Sequence, residues 1–207
     1  MDLDSGFIAP ANPDYVRFIW ATTLKFLLIK HAAIADNNPM PNYRRYYISG
    51  QPVFLTVVTV DRWPWLADHA HVQMLIDSMH WAKTKYPFRH IAHVILHDHL
   101  HWMLLPNPET NFSKVLAATK RDVTWRLKEL GFSPPFWQER FYDHVIRDED
   151  DFKRHLDYIH FNPVKHGYVS RPADYRWSSF SEWVKRGVYD ADWGSIEPEP
   201  IKQMKLE

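Results

Sequence analysis

The run Val53-Phe54-Leu55-Thr56-Val57-Val58-Thr59-Val60 is apolar and β-branched along nearly its whole length, which suits a buried strand. The residues after it constrain the architecture. Asp61 to Pro64 turns the chain, and Asp68 can cap a helix with Val72, Leu75, Ile76, Met79 and Ala82 at helical spacing, until Pro87 stops it. Phe88 to Leu96 reads as a strand buried on both faces. After a break at Asp98 comes a further strand, His99 to Leu105, closed by Pro106 and Pro108. Ser113 is placed to cap a second helix with Val115, Leu116, Thr119, Val123 and Leu127 inward and Gly131 at its end. A short strand near Tyr142 to Arg147 precedes a third helix. The acidic run Asp148 to Asp151 opens it, Phe152, Leu156 and Ile159 form its apolar stripe, and Pro163 limits it. Strand–helix–strand–strand–helix–strand predicts a ferredoxin-like (RRM-like) α+β sandwich.

Composition narrows the chemistry. The chain has 207 residues, of which 15% are aromatic and 45% hydrophobic, enough for a core of its own and unlike a disordered chain. It has no Cys, so disulfides, thiolate zinc sites and a cysteine nucleophile are excluded. Thirteen His point to metal or proton chemistry. The net charge of zero conceals a mildly basic centre between acidic ends, so a nucleic-acid partner is neither favoured nor excluded by charge. The apolar stretch Phe18 to Ile29 contains Lys25 and is too short for a membrane span, and Asp2 and Asp4 stand where a secretory signal needs positive charge. A cytoplasmic location is the expectation. Residues 1–39 read as an extension with a helix over Tyr15 to Ala35, and Met40 as an alternative start. Residues 181–207 read as an acidic tail.

Two short segments carry the chemistry. In His99-Leu100-His101 the two imidazoles share one face of a strand, half a site for a divalent metal, or else a sheet face with satisfied rings. In Tyr158-Ile159-His160-Phe161-Asn162, Tyr158 and Asn162 share one helix face. Asn162 offers a hard carbonyl ligand, and Tyr158 offers a phenol that either packs in the core or acts as a nucleophile.

Taken together, these segments resemble the single-tyrosine transposases of the HUH (His-hydrophobic-His) superfamily, and within it the REP-associated tyrosine transposases of bacteria. The resemblance runs from Tyr43 to Phe180. It rests on Tyr43-Arg44-Arg45-Tyr46-Tyr47, on His99-Leu100-His101, on Phe136-Trp137-Gln138-Glu139-Arg140-Phe141 followed by His144, and on Tyr158-Ile159 through Asn162-Pro163-Val164-Lys165-His166-Gly167. One position departs: His97 stands where the family usually has Pro.

The resemblance implies a transposase domain over residues 40–180, with a central antiparallel sheet carrying the histidines and all helices, the tyrosine helix included, on one side. It implies His99, His101 and Asn162 as ligands of Mg²⁺ or Mn²⁺ and Tyr158 as the nucleophile. His93 and His97 are candidates to support the ligands or pass protons. It further implies metal-dependent cleavage and strand transfer of single-stranded DNA, through a 5′-phosphotyrosine, at hairpins of repetitive extragenic palindromes. The partners implied are single-stranded or hairpin DNA and no membrane, for a monomer rather than a homodimer that is nucleoid-associated. DNA contact falls to the arm Tyr43, Arg44 and Arg45 and to Lys114, Lys120, Arg121 and Lys128 on the second helix, whose alternative role is a solvated face. Trp63, Trp65, Trp137 and Trp177 read as packing residues. The alternatives are a domesticated hairpin-binding protein that no longer cuts, and a metal phosphodiesterase without a covalent step.

Overall fold

The computed structural model describes residues 47–204 and 206; the helix expected over Tyr15 to Ala35 and the arm Tyr43, Arg44 and Arg45 lie outside them. Four strands, β1 (Val53–Val58), β2 (Phe88–Ile95), β3 (His99–Pro106) and β4 (Tyr142–Val145), form one antiparallel sheet in the order β2-β3-β1-β4. Helix α1 (His69–Lys85) links β1 to β2, and α2 (Phe112–Glu129) links β3 to β4. Helix α3 (Glu149–Lys165) follows β4, and the short α4 (Phe180–Lys185) lies beyond it. This is the α+β sandwich expected from the order of elements.

The sheet separates two cores, because successive strand residues face opposite sides. Val53, Leu55, Val57, Leu100, Trp102 and Leu104 pack with α1 and α2. Phe54, Met103, Ala92 and Val94 pack with Phe152, Leu156, Tyr158 and Ile159 of α3. The tyrosine helix therefore covers the face opposite α1 and α2, which corrects the expectation of all helices on one side. The element order leaves this open: α3 follows the last strand, so no crossover rule ties it to the face of α1 and α2.

Helix ends follow local chemistry. The Asp68 side chain accepts from Ala70 N–H at the start of α1, and the Asp148 side chain accepts from Asp151 N–H at the start of α3. Helix α2 is capped by Asn111, whose side chain accepts from Lys114 N–H, and not by Ser113. Pro163 does not limit α3 but sits inside its last turn, and the helix runs on to Lys165. Residues 181–204 are part of the fold rather than a loose tail: Trp183, Tyr189 and Ile201 are buried in the α3 core. Among the described residues, no helix is long and apolar enough to cross a membrane.

Candidate active site

β3 puts His99 and His101 on the face that α3 covers, while Leu100 points into the other core. Their rings lie 4.9 Å apart, centre to centre. The His101 ring is 5.2 Å from the Tyr158 ring, and the His99 ring is 5.3 Å from that of His166, at the end of α3. Asn162 is one turn after Tyr158 and one turn before His166, on the same helix face, and is fully buried. The tyrosine, the amide and the two histidines thus meet between one strand and one helix.

Neighbouring groups decide which ring nitrogen carries the proton. Thr56, opposite His101 on β1, donates its hydroxyl to the Leu206 carbonyl at 2.8 Å, so it accepts from His101 Nδ1–H at 3.0 Å. The Asp98 carboxylate accepts from His99 Nδ1–H at 2.6 Å. Each ring then carries its lone pair on Nε2, and both Nε2 atoms are buried, as is Asn162 Oδ1. Two imidazole nitrogens and one amide oxygen form a donor set that fits a divalent cation. Asp98 is held in turn by Arg62 Nη1 at 3.0 Å. Burial pushes the Asp98 carboxyl upward, but its bonds to His99 and Arg62 outweigh burial and leave it below the ordinary value. Arg62 and its neighbour Asp61 both have left-handed backbone, with φ near 51° and 50°. A conformation costing on the order of 1 kcal/mol per residue is spent on the turn that carries Arg62.

Lys165 Nζ donates to the Tyr158 hydroxyl at 3.3 Å and sits 4.9 Å from its ring centre. Phe54 packs against His101 and Tyr158 and, on its other side, against His155. There His144, Asp151 and His155 form a group that could hold a metal ion, with ligand atoms within 4.8 Å of one another. His144 Nε2 lies 2.7 Å from Asp151 Oδ2, and His155 Nδ1 lies 3.1 Å from Oδ1. Burial pushes the Asp151 carboxyl up, but His144, His155 and the Arg147 N–H hold it well below the carboxylate range.

The other expected residues are placed differently. His93 pairs with Trp102, so it faces the opposite side of the sheet from His101. His97 lies in the β2–β3 turn, its ring 4.3 Å from that of Tyr168. Lys114, Arg121 and Lys128 form an exposed stripe on α2, across the sheet from Tyr158. Lys120 is half-buried and donates to the Gln138 carbonyl at 2.9 Å. Trp65 and Trp137 are buried, whereas Trp63 is exposed and Trp177 half-buried. Thr56 and Asp98 had no site role in the sequence reading, and Lys165 and His166 entered it only as part of the motif that carries the resemblance. Thr56 left a signal, a polar residue in an otherwise apolar stretch of strand, and Asp98 was visible only as a break.

No family model matches the chain. It is 38% identical over 157 residues to the REP-associated tyrosine transposase of Escherichia coli, covering 74% of this chain and 91% of that protein. It is 36% identical over 175 residues to a Haemophilus influenzae protein given the same name provisionally, covering 79% and 98%. Its fold matches a solved structure of the REP-associated tyrosine transposase bound to a REP hairpin. The TM-score is 0.70 at 35% identity, over 81% of this chain and 96% of that one. A four-stranded antiparallel sheet with this set of relatives defines a tyrosine transposase, an enzyme class. Within that class the chain belongs to the REP-associated tyrosine transposase family.

Proposed function

We propose that this chain cleaves and rejoins single-stranded DNA at REP hairpins, with Tyr158 as nucleophile and a divalent metal held by His99, His101 and Asn162. The observation that carries this reading is the pair of neighbouring His99 and His101 rings beside the buried Tyr158, with buried Asn162 one turn further along the same helix face. The solved relative bound to a REP hairpin supports the substrate class.

Tyr158 Oη attacks the scissile phosphorus. The Tyr158 Oη–P bond forms and the P–O3′ bond breaks, with the phenolic proton ending on the released 3′-OH. The bond energy is kept in the 5′-phosphotyrosine, so a 3′-OH can reverse the step and join strands without a nucleotide cofactor. Lys165, donating to the phenolic oxygen, stabilises the negative charge that oxygen carries in the attack. Asp98 and Thr56 hold the two imidazoles in the tautomer and orientation that ligation needs. Mg²⁺ or Mn²⁺, when bound, polarises the phosphate and offsets charge in the transition state. Lys114, Arg121 and Lys128, with Tyr43, Arg44 and Arg45, contact DNA phosphates in this reading. The chain acts as a monomer in the cytoplasm, at the nucleoid.

The test is a denaturing gel of the protein with labelled hairpin DNA from its own genome and Mn²⁺ or Mg²⁺. A covalent band that needs the metal and vanishes in Tyr158→Phe is expected. Binding without an adduct would instead identify a hairpin-binding protein, and metal-dependent hydrolysis surviving in Tyr158→Phe a phosphodiesterase.

A further inference from the structure

A second group of metal-ligating side chains, His144, Asp151 and His155, stands apart from the site beside Tyr158. His144 on β4 pairs with Phe54 of β1, and β1 separates it from His101 on β3. Two strand spacings put the groups about 10 Å apart. Two ions that share one phosphate sit about 4 Å apart, so this group is not the second half of such a pair.

Asp151, in the first turn of α3, holds the group together. Its Oδ2 accepts from His144 Nε2–H at 2.7 Å and from the Arg147 N–H at 3.0 Å, and its Oδ1 lies 3.1 Å from His155 Nδ1. Asp151 and His155 are buried and His144 is half-buried. One nitrogen of each ring and one carboxylate oxygen lie within 4.8 Å of one another. Burial pushes the Asp151 carboxyl up, but its bonds to His144, His155 and the Arg147 N–H keep it ionised, as a metal ligand must be.

His155 supplies an independent sign. Its Nδ1–H donates to the Asp151 main-chain carbonyl, one turn back, at 2.8 Å. The lone pair is then on Nε2, which is buried and has no hydrogen-bond partner. Buried ring nitrogens are normally satisfied, and a neutral imidazole with an unused lone pair is the form that takes a metal. The His144 ring stacks beside it, 4.5 Å away and 13° from parallel. One charge opposes a cation here: Arg154 Nη2 lies 3.7 Å from Asp151 Oδ1, on a side chain that is 46% exposed and can swing into water.

We propose that His144, Asp151 and His155 bind one Zn²⁺, with water as fourth ligand, as a clamp that fixes β4 to the first turns of α3. Two imidazoles and one carboxylate suit zinc, whereas Mg²⁺ and Ca²⁺ favour oxygen ligands. On binding, His144 keeps its proton on Nδ1 and turns its Nε2 lone pair from Asp151 to the ion. His155 is three residues before Tyr158, so the clamp sets how the tyrosine helix sits on the sheet.

The test frees the full chain of metal with a chelator, adds Zn²⁺, dialyses, and counts the zinc that stays, with melting temperature alongside. His144→Gln still donates a hydrogen bond to Asp151 but offers no imidazole. It is expected to hold one zinc fewer per chain and to show a smaller zinc-dependent rise in melting temperature. His99→Ala, in the other site, keeps this ion. Arg154→Ala, a change at an exposed position, binds it about fivefold tighter, the worth of one unit charge about 4 Å away in water. Equal zinc content in the unaltered chain and His144→Gln would overturn the proposal, as would an affinity that Arg154→Ala leaves unchanged. The adduct gel with Mn²⁺ tests cleavage separately, and its failure leaves the zinc result standing.

Discussion

At the scale of single residues, Asp98 and Asp151 are carboxylates that hold histidines in place. Asp98 bridges His99 and Arg62, so removing it leaves the imidazole free to rotate or change tautomer. Asp98→Ala is expected to weaken Mn²⁺ binding roughly 10–100-fold, read by calorimetric titration, while Asp98→Asn, which keeps an acceptor, recovers most of it. Unchanged affinity in Asp98→Ala would show that the bond to His99 does not orient a ligand. Asp151 joins β4 to the first turn of α3 through His144 and His155. Its loss strands one buried and one half-buried imidazole, so Asp151→Ala should cost about 3 kcal/mol in urea unfolding. The exposed neighbour change Asp150→Ala should stay within about 0.5 kcal/mol. Neither role could be read from the sequence. Asp98 looked like a strand break, and Asp151 like one more charge at a helix start. Arg62 and His144 come from other elements and are brought in by the fold, while His99 and His155 are near neighbours in the sequence whose rings only the folded backbone turns toward the carboxylates.

At the scale of elements, the strands and the three long helices were legible to within about two residues at their ends, because their apolar patterns are clear, although Pro163 did not stop α3 and Asn111 rather than Ser113 caps α2. The pair His99 and His101 and the pair Tyr158 and Asn162 were legible for the same reason, since spacing alone sets a shared face. What spacing does not tell is which face a helix docks on, and so α3 was expected beside α1 and α2. The same limit applies to the basic stripe of α2, which lies across the sheet from the tyrosine. If Lys114, Arg121 and Lys128 contact phosphates from there, each change to Ala weakens hairpin binding. Each also lowers the slope of log affinity against log salt by roughly 0.7–0.9. A slope that does not change on substitution would mark the stripe as a solvated face. The end of the chain is another such miss: residues 181–207 read as an acidic tail, yet Trp183 and Tyr189 complete the α3 core.

At the scale of the whole molecule, buried histidines make stability depend on pH. His90 and His93 are neutral in the folded protein and hold their protons poorly, whereas in the unfolded chain their pKa is about 6.5. Below that value the unfolded chain takes up protons that the folded rings refuse, so stability falls with pH from about 7 toward 4. The shift of His93 to about 4 corresponds to on the order of 3 kcal/mol by the end of that range. Melting temperature should therefore drop between pH 7.5 and pH 5, and less so in His93→Gln; equal melting at both pH values would contradict it. The order of parts along the chain has its own consequence. His99 and His101 are on a middle strand, while Tyr158 and Asn162 are on the last long helix. On the chemistry proposed for these residues, a ribosome has made both ligand histidines and the basic stripe well before it makes the nucleophile. A chain that ends before Tyr158 then carries two of the three metal ligands but no nucleophile, so synthesis itself works as a safety catch against nicking.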